Sequence, residues 1–325
     1  MFTKYKKKIL LSVAFGALVF LAFSIYADID KLIGAFGKFD WLWFPVVLLF
    51  SLANYILRFA KWHYYIKLLK IEIRPLKSLL IFLSAFVMSV TPGKMGEVLK
   101  SYLLKEENGT SISKSAPIVL AERLTDFISI VLLCILGAFV FGYGQVLIII
   151  AGIVFITSAL VLSSRKFSFG LIGMLGKVRF FSKHTDKIHT AYNSIYLMVK
   201  FRPLLNGVLI SSFAWFMECV GFYIVLNVFS ASSNVEVSLL VATFIYGFST
   251  LVGAIAMLPG GLGVTEAFLT GLLIVLKIPK DISVAASLII RVATLWFAVF
   301  IGIVTVFIYQ NLTHRKFENI TKQDA

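Results

Sequence analysis

Charged side chains are scarce in this sequence of 325 residues. Asp, Glu, Lys and Arg together make up 14% of the chain, whereas a soluble domain carries about 25%. Hydrophobic residues make up 59%, and the mean hydropathy is +0.94. Several apolar runs reach the roughly 20 residues that an α-helix needs to cross a bilayer. The composition therefore excludes a water-soluble enzyme and predicts an all-α integral membrane protein.

Cysteine and histidine are also scarce. The two cysteines, Cys134 and Cys219, both lie in apolar runs, so the sequence indicates neither a disulfide framework nor a zinc site. The four histidines lie in polar segments between the runs and match no metal-binding motif. We therefore expect no metal ion and no cofactor.

Acidic residues are about half as frequent as basic ones. The chain has 16 Asp and Glu against 31 Lys and Arg, which gives a formal net charge of +15. Nucleic-acid binding would require basic residues clustered on one solvated face. Long apolar runs separate the basic residues of this chain, so we expect no nucleic-acid partner.

The apolar runs predict a single polytopic membrane domain with six full transmembrane helices and two re-entrant hairpins. The first run is longer than the apolar region of a signal peptide, which favours an uncleaved span. Two stretches, at about residues 78–104 and 238–276, are interrupted by Pro-Gly clusters and are interpreted as the hairpins. The full spans are predicted at about residues 9–27, 41–60, 116–142, 145–162, 204–229 and 282–309.

The basic residues predict the orientation of the chain. They concentrate in the N-terminal tail, the segments 58–77 and 163–203, and the C-terminal tail. By the positive-inside rule these segments are cytoplasmic, which predicts a multi-pass protein of the cytoplasmic (inner) membrane with both termini inside. Within the basic loop 163–203, apolar residues recur at helical spacing after Asp186. This pattern fits a helix on the membrane surface, and a solvated loop is the alternative.

The two broken stretches share a sequence pattern. Residues 92–96 and 259–263 both read P-G-x-x-G, and an arginine lies inside an apolar run about thirty residues beyond each proline, at Arg123 and Arg291. Because three predicted spans separate the motifs, the second hairpin enters from the opposite side. This pattern predicts an inverted repeat with halves at about 1–145 and 146–325, and such paired broken segments point to a transporter's midplane site.

The first hairpin has the features of an anion site. A helix that starts after Pro92 would direct its N-terminal amides into the membrane, where they suit a negative charge. Lys94 would add a full positive charge at that point. The alternative is a hairpin that only packs, with Lys94 reaching back to the cytoplasmic face.

Several charged residues lie inside the predicted spans. Glu122, Arg123 and Asp126 fall in the third span, and Glu218 and Arg291 lie deeper in other spans. Each ionised group near the midplane costs about 2.5–3.5 kcal/mol to insert. These groups are therefore expected to pair or to line a polar cavity, with Glu266 as the predicted partner of Arg291.

Other roles for these residues stay open. Glu122, Arg123 and Asp126 could form a purely structural ion cluster, and Glu218 could be a protonated, hydrogen-bonded carboxyl group. Trp215 and Trp296 are interpreted as packing residues.

The motifs resemble a known family of membrane regions. Residues 89–97 and 122–126 are similar to the membrane region of lysylphosphatidylglycerol synthases and their stand-alone flippase-like relatives, and residues 258–266 and 291–296 resemble its second half. The resemblance implies either movement of a lipid between leaflets or an accessory role, and not lipid synthesis. In the synthases a separate soluble domain makes the lipid. This sequence ends at Ala325, about sixteen residues after the last predicted span, so we expect a transporter and not an enzyme.

The leading hypothesis is a lipid flippase for a phosphate-containing lipid, with aminoacylated and polyprenyl-linked lipids among the candidates. Its expected partners are membrane lipids with an anionic headgroup and a separate lipid-modifying enzyme. The alternatives are a membrane-embedded lipid-linked glycosyltransferase or phosphatase that uses paired carboxylates, and a non-transporting scaffold for a lipid-synthesis enzyme. No catalytic residue is predicted. The predicted substrate-binding residues are Thr91, Pro92, Gly93, Lys94, Gly96, Glu97, Lys100, Glu122, Arg123, Asp126, Pro259, Gly260, Gly261, Gly263, Glu266 and Arg291.

Overall fold

The computed structural model describes residues 2–91, 95–142, 144–165, 185–230 and 236–313, and these residues are folded into helices and short connections without a β-strand. Short 3₁₀ turns occur at Trp41–Trp43, Ala85–Met88 and Met95–Val98, and a π-helical turn occurs at Val292–Trp296. The helices are α1 Phe2–Ala27, α2 Ile29–Lys38, α3 Phe44–Leu68, α4 Pro75–Ser84, α5 Leu99–Asn108, α6 Ile112–Ser115, α7 Pro117–Phe141, α8 Gln145–Ser163, α9 Thr185–Val199, α10 Phe201–Val228, α11 Leu239–Ile255, α12 Val264–Val275, α13 Lys280–Arg291 and α14 Phe297–Thr313.

Within the part of the chain that the structure describes, four helical segments are long and apolar enough to cross a membrane. They are Trp41–Leu68, Gln145–Ser163, Phe201–Val228 and Lys280–Leu312, and they match four of the six predicted spans. The other two predicted spans fall on α1 and α7, which have 26 and 25 residues. At about 1.5 Å per residue, both reach the roughly 30 Å of a bilayer core, although α7 carries three charged residues near its start. The fold is that of an all-α, multi-pass membrane protein.

Short helices flank the two Pro-Gly motifs. α4, α5 and α12 have 10, 10 and 12 residues, so each covers less than about 20 Å and cannot cross a bilayer alone. Pro92, Gly93 and Lys94 lie outside the described residues. The α-helix of the first hairpin begins at Leu99, because the preceding residues Met95–Val98 form a 3₁₀ turn.

Each hairpin packs against the long helix that follows the other hairpin. α11 packs against α7, and α4 with the turn Ala85–Met88 packs against α14, while α3 and α10 pack together. Glycines allow these close approaches. A methyl group at Gly302 on α14 would lie 2.3 Å from the backbone nitrogen of Val87, and one at Gly137 on α7 would lie 2.7 Å from the carbonyl oxygen of Leu240. The two hairpins are thus held by the opposite halves of the chain.

Two predicted segment boundaries differ from the structure. The predicted cytoplasmic segment 58–77 begins too early, because α3 continues to Leu68 with Trp62 and Tyr65 fully buried. In the basic loop 163–203, residues 185–199 form helix α9, which packs against α6, α7 and α8. The predicted apolar face is therefore helical but is partly covered by protein, with Tyr192 and Val199 buried.

Candidate functional site

A cavity of about 290 Å³ lies among α3, α7, α10, the second hairpin and the helices that follow it. Both hairpins contribute to its wall, since Ser89 from the first reversal and Gly260 from the second line it. Among the described residues, five acidic or basic side chains face it: Arg58, Arg123, Asp126, Glu218 and Arg291.

Most of the remaining wall is aromatic or aliphatic, as is usual for a ligand cavity with a few polar groups. Tyr55 fixes one side of it, because its hydroxyl donates to the carbonyl oxygen of Thr294 at 2.8 Å. Trp215, which was interpreted as a packing residue, also lines the cavity. Trp296 does pack, with its ring against Phe20 at 6.2 Å between centroids.

Glu97 lies behind two of the arginines and joins three cations. It is buried, and its carboxylate lies 3.6 Å from Nη2 of Arg58, 3.3 Å from Nη2 of Arg123 and 3.7 Å from Nζ of Lys100. Arg123 also lies 3.1 Å from Oδ2 of Asp126 on the same helix. Arg58 and Arg123 thus share the carboxylate of Glu97, and Arg123 has Asp126 as a second acidic partner.

Lys61 is the second charged centre and is 1% exposed. Its Nζ donates to Oδ1 of Asp126 and to Oγ of Ser211, both at 2.6 Å, and to Oγ1 of Thr125 at 3.3 Å. These contacts connect α3, α7 and α10. A buried ammonium is stable only when its hydrogen bonds are satisfied, so this network fixes the register of the three helices.

Lys100 completes the buried network on the side of the first hairpin. Its Nζ donates to Oε2 of Glu122 at 2.6 Å and lies 4.6 Å from the centre of the Trp62 ring and 5.4 Å from that of Phe82. The ion pair and the ring faces both stabilise the charged amine. Lys100 and Glu122 therefore anchor α5 to α7.

The second half of the chain contains a simpler pair. Nε of Arg291 donates to Oε1 of Glu266 at 2.6 Å, and Nη2 donates to the carbonyl oxygen of Gly260 at 2.6 Å. The other carboxylate oxygen of Glu266 accepts from the backbone nitrogen of Gly263 at 2.7 Å. The N-terminus of α12 is thus capped by its own carboxylate, and the Pro-Gly reversal is attached to α13.

The two halves place a carboxylate and an arginine in the same relationship. Glu97 and Arg123 are 26 residues apart, and Glu266 and Arg291 are 25 residues apart. Each carboxylate follows a Pro-Gly motif, and each arginine lies on the next long helical segment. Both arginines face the cavity, whereas neither carboxylate lines it. The pairs therefore present positive charge to the interior from both halves.

Glu218 lies on the cavity wall and contacts the second hairpin. The hydroxyl of Tyr246 on α11 donates to Oε2 of Glu218 at 2.7 Å. Glu218 is buried and hydrogen-bonded, and it connects α10 to the hairpin.

The predicted site residues separate into three groups. Those that line the cavity are Arg123, Asp126, Gly260, Gly261 and Arg291. Those in the buried network or the reversals behind the cavity are Thr91, Gly96, Glu97, Lys100, Glu122, Pro259, Gly263 and Glu266. Those outside the described residues are Pro92, Gly93 and Lys94.

The sequence prediction did not include Arg58 and Lys61 in the site, since both were assigned to a cytoplasmic loop. A signal for them was present. Asn54, Arg58, Lys61 and Tyr65 are spaced by four, three and four residues, which places them on one face of a helix. Continuing the helical period beyond residue 60 would have extended α3 and moved both cations inside.

Residues 2–91, 95–142, 144–165, 185–230 and 236–313 contain no group of three or more His, Cys, Asp or Glu side chains placed to hold a metal ion. The site is instead built from ion pairs, arginine side chains and an aromatic wall. Together with the fold, it defines a polytopic helical membrane protein with a central cavity lined by buried charge.

The chain belongs to the family described as the lysylphosphatidylglycerol synthase TM region, whose family model matches residues 9–302. It is similar to proteins named UPF0104 membrane protein in three archaea. A protein of Pyrococcus horikoshii is 24% identical over 91% of this chain and 95% of its own length. A protein of Methanocaldococcus jannaschii is 26% identical over 69% of this chain and 94% of its own length. A protein of Methanothermobacter thermautotrophicus is 28% identical over 72% of this chain and 74% of its own length.

Proposed function

We propose that this protein binds the headgroup of a phosphate-containing lipid in the central cavity and moves the lipid between leaflets. The observation that carries the proposal is the inward orientation of Arg58, Arg123 and Arg291 in a cavity whose wall includes both Pro-Gly hairpins. Guanidinium groups bind phosphate through two parallel hydrogen bonds, and such bonds are stronger in a site that excludes water.

The contact lengths distinguish the roles of the arginines. Arg58 and Arg123 lie 3.6 and 3.3 Å from Glu97, and Arg123 also lies 3.1 Å from Asp126, so their contacts are longer than those of Arg291 and are the ones that a phosphate oxygen would displace. Arg291 makes two contacts of 2.6 Å and is firmly held. Arg58 and Arg123 are therefore the headgroup ligands, and Arg291 holds the second hairpin in place.

Movement of the lipid would come from the two halves. Each hairpin packs on the opposite half, so a small rotation of one half would move a hairpin and change the side on which the cavity is accessible, as in other inverted-repeat transporters. The positive-inside rule applied to the basic segments supports an orientation with both termini on the cytoplasmic side of the cytoplasmic membrane.

Four of the buried carboxylates favour transport over catalysis. Glu97, Glu122, Asp126 and Glu266 each contact a lysine or an arginine, which leaves them poorly suited to general acid or base chemistry. Glu218, on the cavity wall, accepts a hydrogen bond from Tyr246 instead. We accordingly propose that the chain is not an enzyme and that a separate enzyme supplies or consumes its lipid.

Translocation of fluorescent lipids in proteoliposomes tests the proposal. We expect the protein to accelerate transfer of at least one of phosphatidylglycerol, aminoacyl-phosphatidylglycerol and polyprenyl phosphate, and Arg123→Gln to abolish the acceleration. Lys31→Gln is the matched control, because it removes one exposed cation paired with Asp28 outside the cavity. Wild-type transfer no faster than in protein-free liposomes for all three lipids would refute it.

A further inference from the structure

The rim of the cavity is apolar although its interior is charged. Among the described lining residues only three are exposed: Leu120 at 57%, Met257 at 67% and Leu258 at 36%. The arginines and carboxylates are buried or half-buried. The part of the wall that reaches the protein surface is thus made of large apolar side chains from α7 and from the second reversal.

Such a rim suits hydrocarbon better than water. A mouth that opens to an aqueous phase would expose apolar side chains to water, whereas a mouth that faces acyl chains would not. The cavity therefore complements a phospholipid, because its arginines face the position of an anionic headgroup and its apolar side chains face the position of the acyl chains.

Met257 has an unusual backbone at this rim. Its φ is 54°, in the left-handed region that non-glycine residues seldom adopt. It directly precedes Leu258 and Pro259, and its backbone nitrogen donates to the carbonyl oxygen of Ala254 at 3.2 Å. A flexible thioether held at the edge of the cavity can adapt to acyl chains of different shape.

We propose that Leu120, Met257 and Leu258 form a lateral opening that binds the first part of the acyl chains while the headgroup occupies the cavity. This inference rests on the proposed function and extends it to the acyl chains of the substrate and to its route of entry. The lipid reaches the site from the bilayer, and a soluble headgroup lacks the contacts with this opening.

Displacement of a fluorescent phosphatidylglycerol analogue from the full chain in phosphatidylcholine nanodiscs tests this opening. The competitors are phosphatidylglycerol and glycerol 3-phosphate. The double variant Leu120→Ser with Met257→Ser should lower the affinity for phosphatidylglycerol about tenfold, because apolar contact area is lost. It should leave the affinity for glycerol 3-phosphate unchanged. Leu132→Ser with Ile255→Ser is the matched control, because both residues are exposed but do not line the cavity. The double variant Leu120→Ala with Met257→Ala keeps the surface apolar and should lower the affinity for phosphatidylglycerol about threefold.

Three outcomes would overturn the opening. The first is unchanged lipid binding in both double variants. The second is an equal loss for lipid and glycerol 3-phosphate, which would make these residues part of the headgroup pocket. The third is conversion of a dimer to a monomer by the serine pair, which would make the rim an interface between copies. Arg123→Gln tests the headgroup site separately, since unchanged binding of both competitors in that variant would refute the proposed function itself.

Discussion

The side chains of Arg291 and Glu266 connect α13 to the first turn of α12 by a contact of 2.6 Å between Nε and Oε1. The same carboxylate caps α12 through Gly263, and the same guanidinium binds the carbonyl oxygen of Gly260. A single ion pair therefore holds both the helix start and the Pro-Gly reversal. The shape of the second hairpin therefore depends on this pair as well as on the glycines of its loop, since Gly260, Gly261 and Gly263 all have positive φ.

Removing one member of this pair should cost more than removing both. Glu266→Ala leaves the Arg291 guanidinium buried without its carboxylate, which typically costs about 3–5 kcal/mol. Adding Arg291→Met removes the isolated charge, so the double variant should be more stable than Glu266→Ala alone. Thermal unfolding in detergent of the wild type, Glu266→Ala, Arg291→Met and the double variant gives the coupling energy of the pair as a double-mutant cycle. Additive losses would contradict a direct coupling, and Lys31→Ala at the exposed pair with Asp28 should shift stability by at most about 1 kcal/mol.

Lys61 should be more important for folding than for headgroup binding. Lys61→Met leaves Asp126 buried beside Arg123 with one cation fewer and should destabilise the protein by about 3–5 kcal/mol. Ser211→Ala removes one hydrogen bond to the ammonium and should cost about 1.5–3 kcal/mol. Unfolding in a denaturing detergent measures both. A Lys61→Met variant that is as stable as the wild type would show that the network does not hold α3 against α7 and α10.

The sequence indicated much of the fold because its signals are local. The hairpins could be predicted because proline and glycine interrupt apolar runs, and the Glu266–Arg291 pair because the motif repeats. The hydrogen bond from Lys61 to Asp126 spans 65 residues and depends on how α3 packs against α7, which no local spacing encodes. The polar end of α3 resembled a membrane interface, and this resemblance concealed Arg58 and Lys61. The position of Arg58 on the cavity wall is visible only once the helix is extended to Leu68.

Gly302 and Gly137 should resist substitution because each faces the opposite hairpin at close range. Alanine at Gly302 would place its methyl group 2.3 Å from the backbone of Val87, and such overpacking typically costs about 1–3 kcal/mol. Alanine at Gly137 would meet Phe244 at 2.6 Å and should cost a similar amount. Gly271→Ala is the control, since nothing lies within 4 Å of the added methyl group and helix propensity favours alanine by about 1 kcal/mol. Equal melting temperatures for all three variants would show that the hairpins do not dock tightly.

Arg58 should affect transport more than stability. Its contact with Glu97 is long, at 3.6 Å, so Arg58→Gln should cost less stability than Lys61→Met, although it removes one of the two proposed phosphate ligands. A lost charge-assisted hydrogen bond is worth about 1.5–3 kcal/mol, which corresponds to a roughly 10- to 150-fold weaker headgroup affinity. Arg58→Lys keeps the positive charge but cannot form two parallel hydrogen bonds to one phosphate. Its headgroup affinity should therefore lie between that of the wild type and that of Arg58→Gln. Lipid transfer in proteoliposomes and melting temperature, measured on the same preparations, separate the effects. A variant that melts far below the wild type yet transfers lipid normally would reverse the assignment and make Arg58 a structural residue.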